Sequence, residues 1–209
     1  GQTCCGQPPF NTGFHDDARA CARRFLEAFD EAEVIVTPSG SCASMVRHYY
    51  PELFKDDPAL YNRAVWAAAN TWEFTEYLVD GLGVTDLGAV LPPTTVAFHD
   101  SCHGLRMMGL GQQARQLVGS VRGVTLAELA GHDQCCGFGG TFAVKMPEIS
   151  SAMLRDKVQH IVASEADVIV CGDASCLMQM NGGLTRGGHP AKVMHVADLL
   201  AKGLKGAAG

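Results

Sequence analysis

"AEVIVTPSGSCASMV" (Ala32–Val46) and "ADVIVCGDASCLMQM" (Ala166–Met180) follow one pattern. Each runs from an acidic residue through a short β-branched stretch and a small polar turn to a single cysteine and helix-forming residues. Val34–Val36 and Val168–Val170 suit buried parallel strands, which are apolar on both faces. The cysteines that follow them, Cys42 and Cys176, align with each other. A second pair of stretches repeats as well. "QTCCGQPPFNTG" (Gln2–Gly13) matches "DQCCGFGGTFAV" (Asp133–Val144), and each sets vicinal cysteines before a glycine, Cys4-Cys5-Gly6 and Cys135-Cys136-Gly137. Both halves therefore read as cysteine pair, helix, strand, turn, single cysteine and second helix. Such self-similarity marks a duplicated supersecondary unit.

The remaining elements extend this frame. Apolar spacing predicts helices over Asp17–Asp30 (Ala18, Cys21, Phe25, Leu26, Phe29) and Glu148–Ala163 (Ile149, Met153, Ile161). Asp57 is a helix cap with Pro58 in the first turn, and that helix is expected to run through Trp66 and Trp72 towards Gly81. Thr94–Phe98 is a strand delivering Cys102 at its carboxyl end, and Val193–Val196 is a last strand. Strands alternating with helices imply an α/β fold with a mainly parallel sheet flanked by helices, in two pseudo-repeated halves. Ligands of such sheets gather beyond the carboxyl ends of the strands, where Cys42, Cys102 and Cys176 all fall. The halves divide into residues 1–88 and 89–209.

Composition narrows the function. The 209 residues suffice for a proper core, and 47% apolar with 18% charged residues is an ordinary globular balance. With 16 Lys and Arg against 22 Asp and Glu and no basic cluster, nucleic-acid binding is not expected. No apolar run has the length of a membrane span and no signal peptide is read, so a cytoplasmic protein is expected. Nine cysteines in a reducing compartment point to metal binding or redox chemistry rather than disulfides.

Cys102, Cys135, Cys136 and Cys176 form a set of four thiols, suited to an iron–sulfur cluster or a structural zinc. Zinc knuckles separate paired cysteines by two to four residues. Vicinal side chains diverge and chelate one ion awkwardly, whereas a cluster offers several irons. Gly6 and Gly137 allow a positive-φ turn that aims N–H groups at sulfur. The spacing favours the cluster. Cys21, inside a helix, and Cys171, ending a strand, read as core residues instead. His99, His103 and His132 flank the candidates and offer hydrogen bonds or protons, but a solvated loop position is the reading we favour for each. Arg47 and Arg106 suit bidentate carboxylate binding, with plain surface arginines the commoner case. "GFGG" and "GLGVTDLG" leave the dinucleotide fingerprint incomplete.

The doubled CCG motif resembles the cysteine-rich CCG domain of heterodisulfide reductase and of the iron–sulfur subunits of glycolate and glycerol-3-phosphate oxidation. "QTCCGQP", "PSGSC", "HDSCH", "CCGFGGTFAVKMPEIS" and "SCLM" resemble the lactate utilization protein A family over essentially the whole chain. The resemblance implies two CCG domains, [4Fe–4S] clusters, and an electron-transfer role in oxidising L-lactate to pyruvate with lactate utilization proteins B and C. The ligands it implies are Cys4, Cys5 and Cys42, then Cys102, Cys135, Cys136 and Cys176. The broader pattern ends in Cys-x-x-Cys, but Ser39 and Asp173 stand at the first position of that pair. A four-thiolate cubane is therefore preferred to a five-cysteine cluster. Two other functions compete: a heterodisulfide-reductase-like thiol–disulfide subunit, against which the incomplete Cys-x-x-Cys argues, and a zinc-stabilised interaction module, against which the vicinal spacing argues. Cys102 precedes Cys135 by 33 positions, and the same interval before Cys4 falls upstream of Gly1. The first half is accordingly expected to be truncated at its N-terminus by roughly 35–40 residues, with a labile first cluster and exposed apolar surface near Val34–Val36.

Overall fold

The computed structural model describes residues 4–207; the aligned residues Gln2 and Thr3 lie outside them. The chain forms two compact units, one up to Phe74 and one from Thr75 onwards. Both are α/β, and every paired strand is parallel.

The first unit holds α1 (Gln7–Asn11), α2 (His15–Ala28), β1 (Ile35–Thr37), α3 (Gly40–Ser44), a π-helical turn (Met45–Tyr49), α4 (Tyr50–Leu53), α5 (Pro58–Asn70) and β2 (Thr71–Glu73). Ala18, Ala22, Phe25 and Leu26 make one apolar stripe on α2, which packs into a core with Met45, Tyr50 and Phe54. Asp57 caps α5 by accepting from the Leu60 N–H at 3.3 Å. The helix expected to continue to Gly81 stops at Asn70. Thr71 turns its hydroxyl back onto the Ala67 carbonyl at 2.7 Å, and the chain then pairs as β2 with β1 in the register Ile35–Thr71, Val36–Trp72, Thr37–Glu73. A β-branched residue that satisfies the last helical carbonyl favours this exit.

The chain enters the second unit through α6 (Phe74–Glu76) and a π-helical turn at Tyr77–Gly81. There follow β3 (Val90–Phe98), α7 (Cys102–Met108), α8 (Gln113–Gly119), β4 (Arg122–Ala127), α9 (Phe142–Lys145), α10 (Pro147–Ala163), β5 (Val168–Cys171), α11 (Ala174–Arg186), β6 (Lys192–His195) and α12 (Val196–Ala207). The sheet order is β4-β3-β5-β6. β3 starts earlier than its apolar run, with a register irregularity between Val90 and Thr94 where Pro92 and Pro93 supply no N–H. β4 is an edge strand, mostly exposed, and lacks the apolar run that betrays β5. Ala97, Ile169, Cys171, Met180, Leu184 and Val193 are buried together in the core. Among the described residues no helix is long and apolar enough to cross a membrane.

Candidate metal centre

The two cysteine pairs are built alike. Gly6 has φ +88° and Gly137 has φ +87°, left-handed conformations that an L side chain rarely adopts. In each turn the glycine N–H donates to the sulfur of the first cysteine, Gly6 to Cys4 Sγ and Gly137 to Cys135 Sγ, both at 3.4 Å. A Cβ on Gly6 would stand 3.0 Å from the Ala18 carbonyl oxygen, and one on Gly137 would stand 2.5 Å from that of Ser150. Glycine is thus required both for the turn and for its seat against α2 in the first unit and α10 in the second.

In the second unit three strand exits converge. β3 ends at Phe98, and Cys102 opens α7; β5 ends at Cys171, and Cys176 lies in the first turn of α11, capped by Asp173. Cys135 and Cys136 lie in the segment between β4 and α9. Thiol contacts join the four. Cys102 and Cys136 lie beside Cys135, and Cys136 also lies beside Cys176. Hydrogen bonds received from Cys102, Cys136 and the Gly137 N–H hold the Cys135 thiol far below its ordinary pKa. Contact with Cys136, then the nearness of His99, lowers that of Cys176 against its burial. Cys102 and Cys136, as donors in partly dry surroundings, are pushed up.

His99 is not the solvated loop residue expected. Its backbone N–H bonds the Val170 carbonyl at 2.9 Å, prolonging the β3–β5 ladder, and the residue is 2% exposed. Neither ring nitrogen meets a partner in ordinary hydrogen-bond geometry. What lies beside the ring is sulfur: a ring nitrogen, Cys136 Sγ and Cys176 Sγ all fall within 4.8 Å of one another. His132 is half-exposed but bound, its Nδ1 lying 2.7 Å from Asp100 Oδ2. His103 is half-buried in the first turn of α7.

Sequence reasoning missed the residues that hold the 129–137 loop. The Asp100 carboxylate, largely shielded from solvent, accepts two hydrogen bonds from Arg115, at 2.6 and 3.0 Å, and its backbone N–H donates to the His132 carbonyl. Arg106 donates to the Asp133 carbonyl at 3.2 Å, Lys157 to that of Gly131, and Ser150 to that of Gly137 at 2.8 Å. Only the polar character of "HDSCH" hinted at this. Arg106 is exposed, as expected of a surface arginine, and through this bond it also anchors the loop.

In the first unit Cys5 is buried and contacts Cys42, which together with burial raises the Cys5 pKa. The Tyr50 hydroxyl donates to the Cys5 carbonyl at 2.9 Å, and Gln7 Nε2 donates to the Ser41 carbonyl at 3.2 Å, tying the pair to the Cys42 turn. Cys4 is exposed. Cys21 packs beneath Gly6, its Cβ 3.2 Å from where a Cβ on that glycine would stand. Cys171 is 1% exposed, in the core.

Residues 1–47 and 96–181 match the cysteine-rich CCG domain family. Lactate utilization protein A 2 of Bacillus cereus is 48% identical over 204 residues, covering 98% of this chain and 84% of that protein. Lactate utilization protein A of Exiguobacterium sp. is 48% identical over 206 residues, covering 98% and 83%.

Proposed function

The chain belongs to the cysteine-rich CCG domain family that includes the lactate utilization A proteins, and on that premise we propose that it is an iron–sulfur electron-transfer subunit of a complex oxidising L-lactate to pyruvate. The observation that carries this reading is the connected set of Cys102, Cys135, Cys136 and Cys176 sulfurs at the strand ends. Four thiols with two of them vicinal match a cluster with several irons better than one tetrahedral zinc. We assign these four as ligands of a [4Fe–4S] cluster, and Cys4, Cys5 and Cys42 as donors to a first-half centre. When bound, the cluster supplies one-electron transfer.

The chain's own residues prepare the site. The Gly6 and Gly137 N–H groups neutralise part of the charge on Cys4 and Cys135. Asp100, Arg106 and Ser150 fix the loop that carries the pair, and the buried Cys136 and Cys176 are kept from bulk water. Residues 1–88 and 89–209 act as two CCG domains in this reading. The setting is the cytoplasm, and the partners are lactate utilization proteins B and C.

Iron and acid-labile sulfide analysis of anaerobically purified protein tests the centre. Iron with sulfide is expected, and zinc alone refutes it. No hydride-accepting cofactor motif is present in the sequence, so the purified chain should not reduce a dye with lactate until its partners are added. Robust turnover by the chain alone would refute the subunit role.

A further inference from the structure

Helices α2 and α10 occupy equivalent places in the two halves. Ala18 O and Cys21 Cβ lie where Gly6 would carry a side chain, and Ser150 O and Met153 Cβ crowd Gly137 in the same way. These pairs set one register, and a turn further along it Phe25 corresponds to Lys157. Both are buried, at 3% and 1% exposure. Phe25 packs against Phe29 and Tyr50, with ring centroids 4.7 and 5.4 Å away. Lys157 instead turns its ammonium onto the Gly131 carbonyl, within electrostatic reach of Cys136, Cys102, Asp133 and Cys135.

A lysine is not needed to fill this place, because the sister helix fills it with phenylalanine. Among the described residues no carboxylate forms an ion pair with the Lys157 ammonium, and Asp133 acts on it only through space. A buried cation held by one carbonyl is strongly disfavoured without a counter-charge. Desolvation lowers its pKa, and Cys136, Cys102, Asp133 and Cys135 oppose that shift.

We propose that Lys157 is the built-in counter-charge of the metal centre held by Cys102, Cys135, Cys136 and Cys176, and that it raises the reduction potential of that centre. This rests on the iron–sulfur reading above. Four thiolates make the centre anionic, and reduction adds another negative charge. A fixed ammonium in a low-dielectric surrounding therefore favours the reduced state over the oxidised one. Lys157 is a positioning residue for charge; it acts through the field at the cluster.

The test is an anaerobic redox titration of the full chain followed by electron paramagnetic resonance, with the second-half signal assigned by its loss in Cys135→Ser. Lys157→Met and Lys157→Gln should lower the reduced-to-oxidised ratio of that signal at fixed poise by about tenfold, which is about 59 mV for one electron. Lys157→Arg should stay near the native midpoint. If both neutral variants lose iron and sulfide while Lys157→Arg keeps them, the counter-charge role is also supported. An unchanged midpoint in the neutral variants overturns it, as does loss of the cluster in all three. Absence of iron and sulfide from the unmutated protein instead overturns the iron–sulfur reading itself.

Discussion

The two cysteine pairs share a turn to within a degree of φ, yet their surroundings are opposite in character. Around Cys4 and Cys5 the chain supplies aromatic packing, with Phe25, Phe29 and Tyr50 in ring contact and one tyrosine hydroxyl on the Cys5 carbonyl. Around Cys135 and Cys136 it supplies charge and hydrogen bonds, from Asp100, Arg106, Arg115, Lys157 and Ser150. The comparison separates two things a ligand loop needs. The glycine turn aims the N–H at sulfur and is common to both halves, while the means of holding the loop differ between them.

The largest test of this comparison removes a donor. Cys135→Ser or Cys136→Ser should abolish the second-half centre, since a hydroxyl replaces thiolate poorly on iron. Iron, sulfide and visible absorption of anaerobic protein should fall accordingly, while Cys21→Ser leaves them intact. Equal losses in both kinds of variant would erase the distinction drawn between ligand and packing cysteines.

Next comes the charged anchor. Asp100→Ala leaves Arg115 with the Gly111 carbonyl and frees His132, and losing such charged hydrogen bonds costs about 1.5–3 kcal/mol. Chemical denaturation should show that loss for the second unit alone. A matched drop in the first unit's transition would mean that the two do not unfold separately.

Gly137→Ala and Gly6→Ala compare the turns directly. Each incurs left-handed strain of about 1–2 kcal/mol. Gly137→Ala also presses a Cβ to 2.5 Å from a backbone oxygen, against 3.0 Å for Gly6→Ala, and should be the more destabilising. The reverse order in thermal melts would show that the aromatic half yields less than the polar one. The smallest effect is expected at the helix caps that precede Cys42 and Cys176. Asp173→Ala and Ser39→Ala each remove a side-chain acceptor for a helical N–H, worth about 1 kcal/mol. The buried Asp173 should cost more, because it also binds the Ser175 hydroxyl.

Much of this was legible in the residues. The repeated β-branched runs place β1 and β5, and the doubled motif places both pairs before a helix. The parts that were not legible share a cause: their reasons lie across the sheet. β4 is an exposed edge, recognisable only by pairing with β3. β2 interrupts a helical pattern because β1 is there to receive it. His99 is buried by the β3–β5 ladder, which no local polarity around "HDSCH" announces. Lys157 sits where helical periodicity alone predicts an apolar residue, and only the sister position, Phe25, makes it stand out.

The sheet order β4-β3-β5-β6 also bears on the biosynthesis of the protein. Chains emerge from the ribosome N-terminal end first and domains fold as units. Cys102, Cys135 and Cys136 are therefore made before the strand that pairs with β3 and positions Cys176. Three thiols wait for the fourth while about forty residues are translated, about 2–8 seconds at roughly 5–20 residues per second. During that interval the nascent chain offers oxidants a vicinal dithiol, of which the finished fold later buries Cys136.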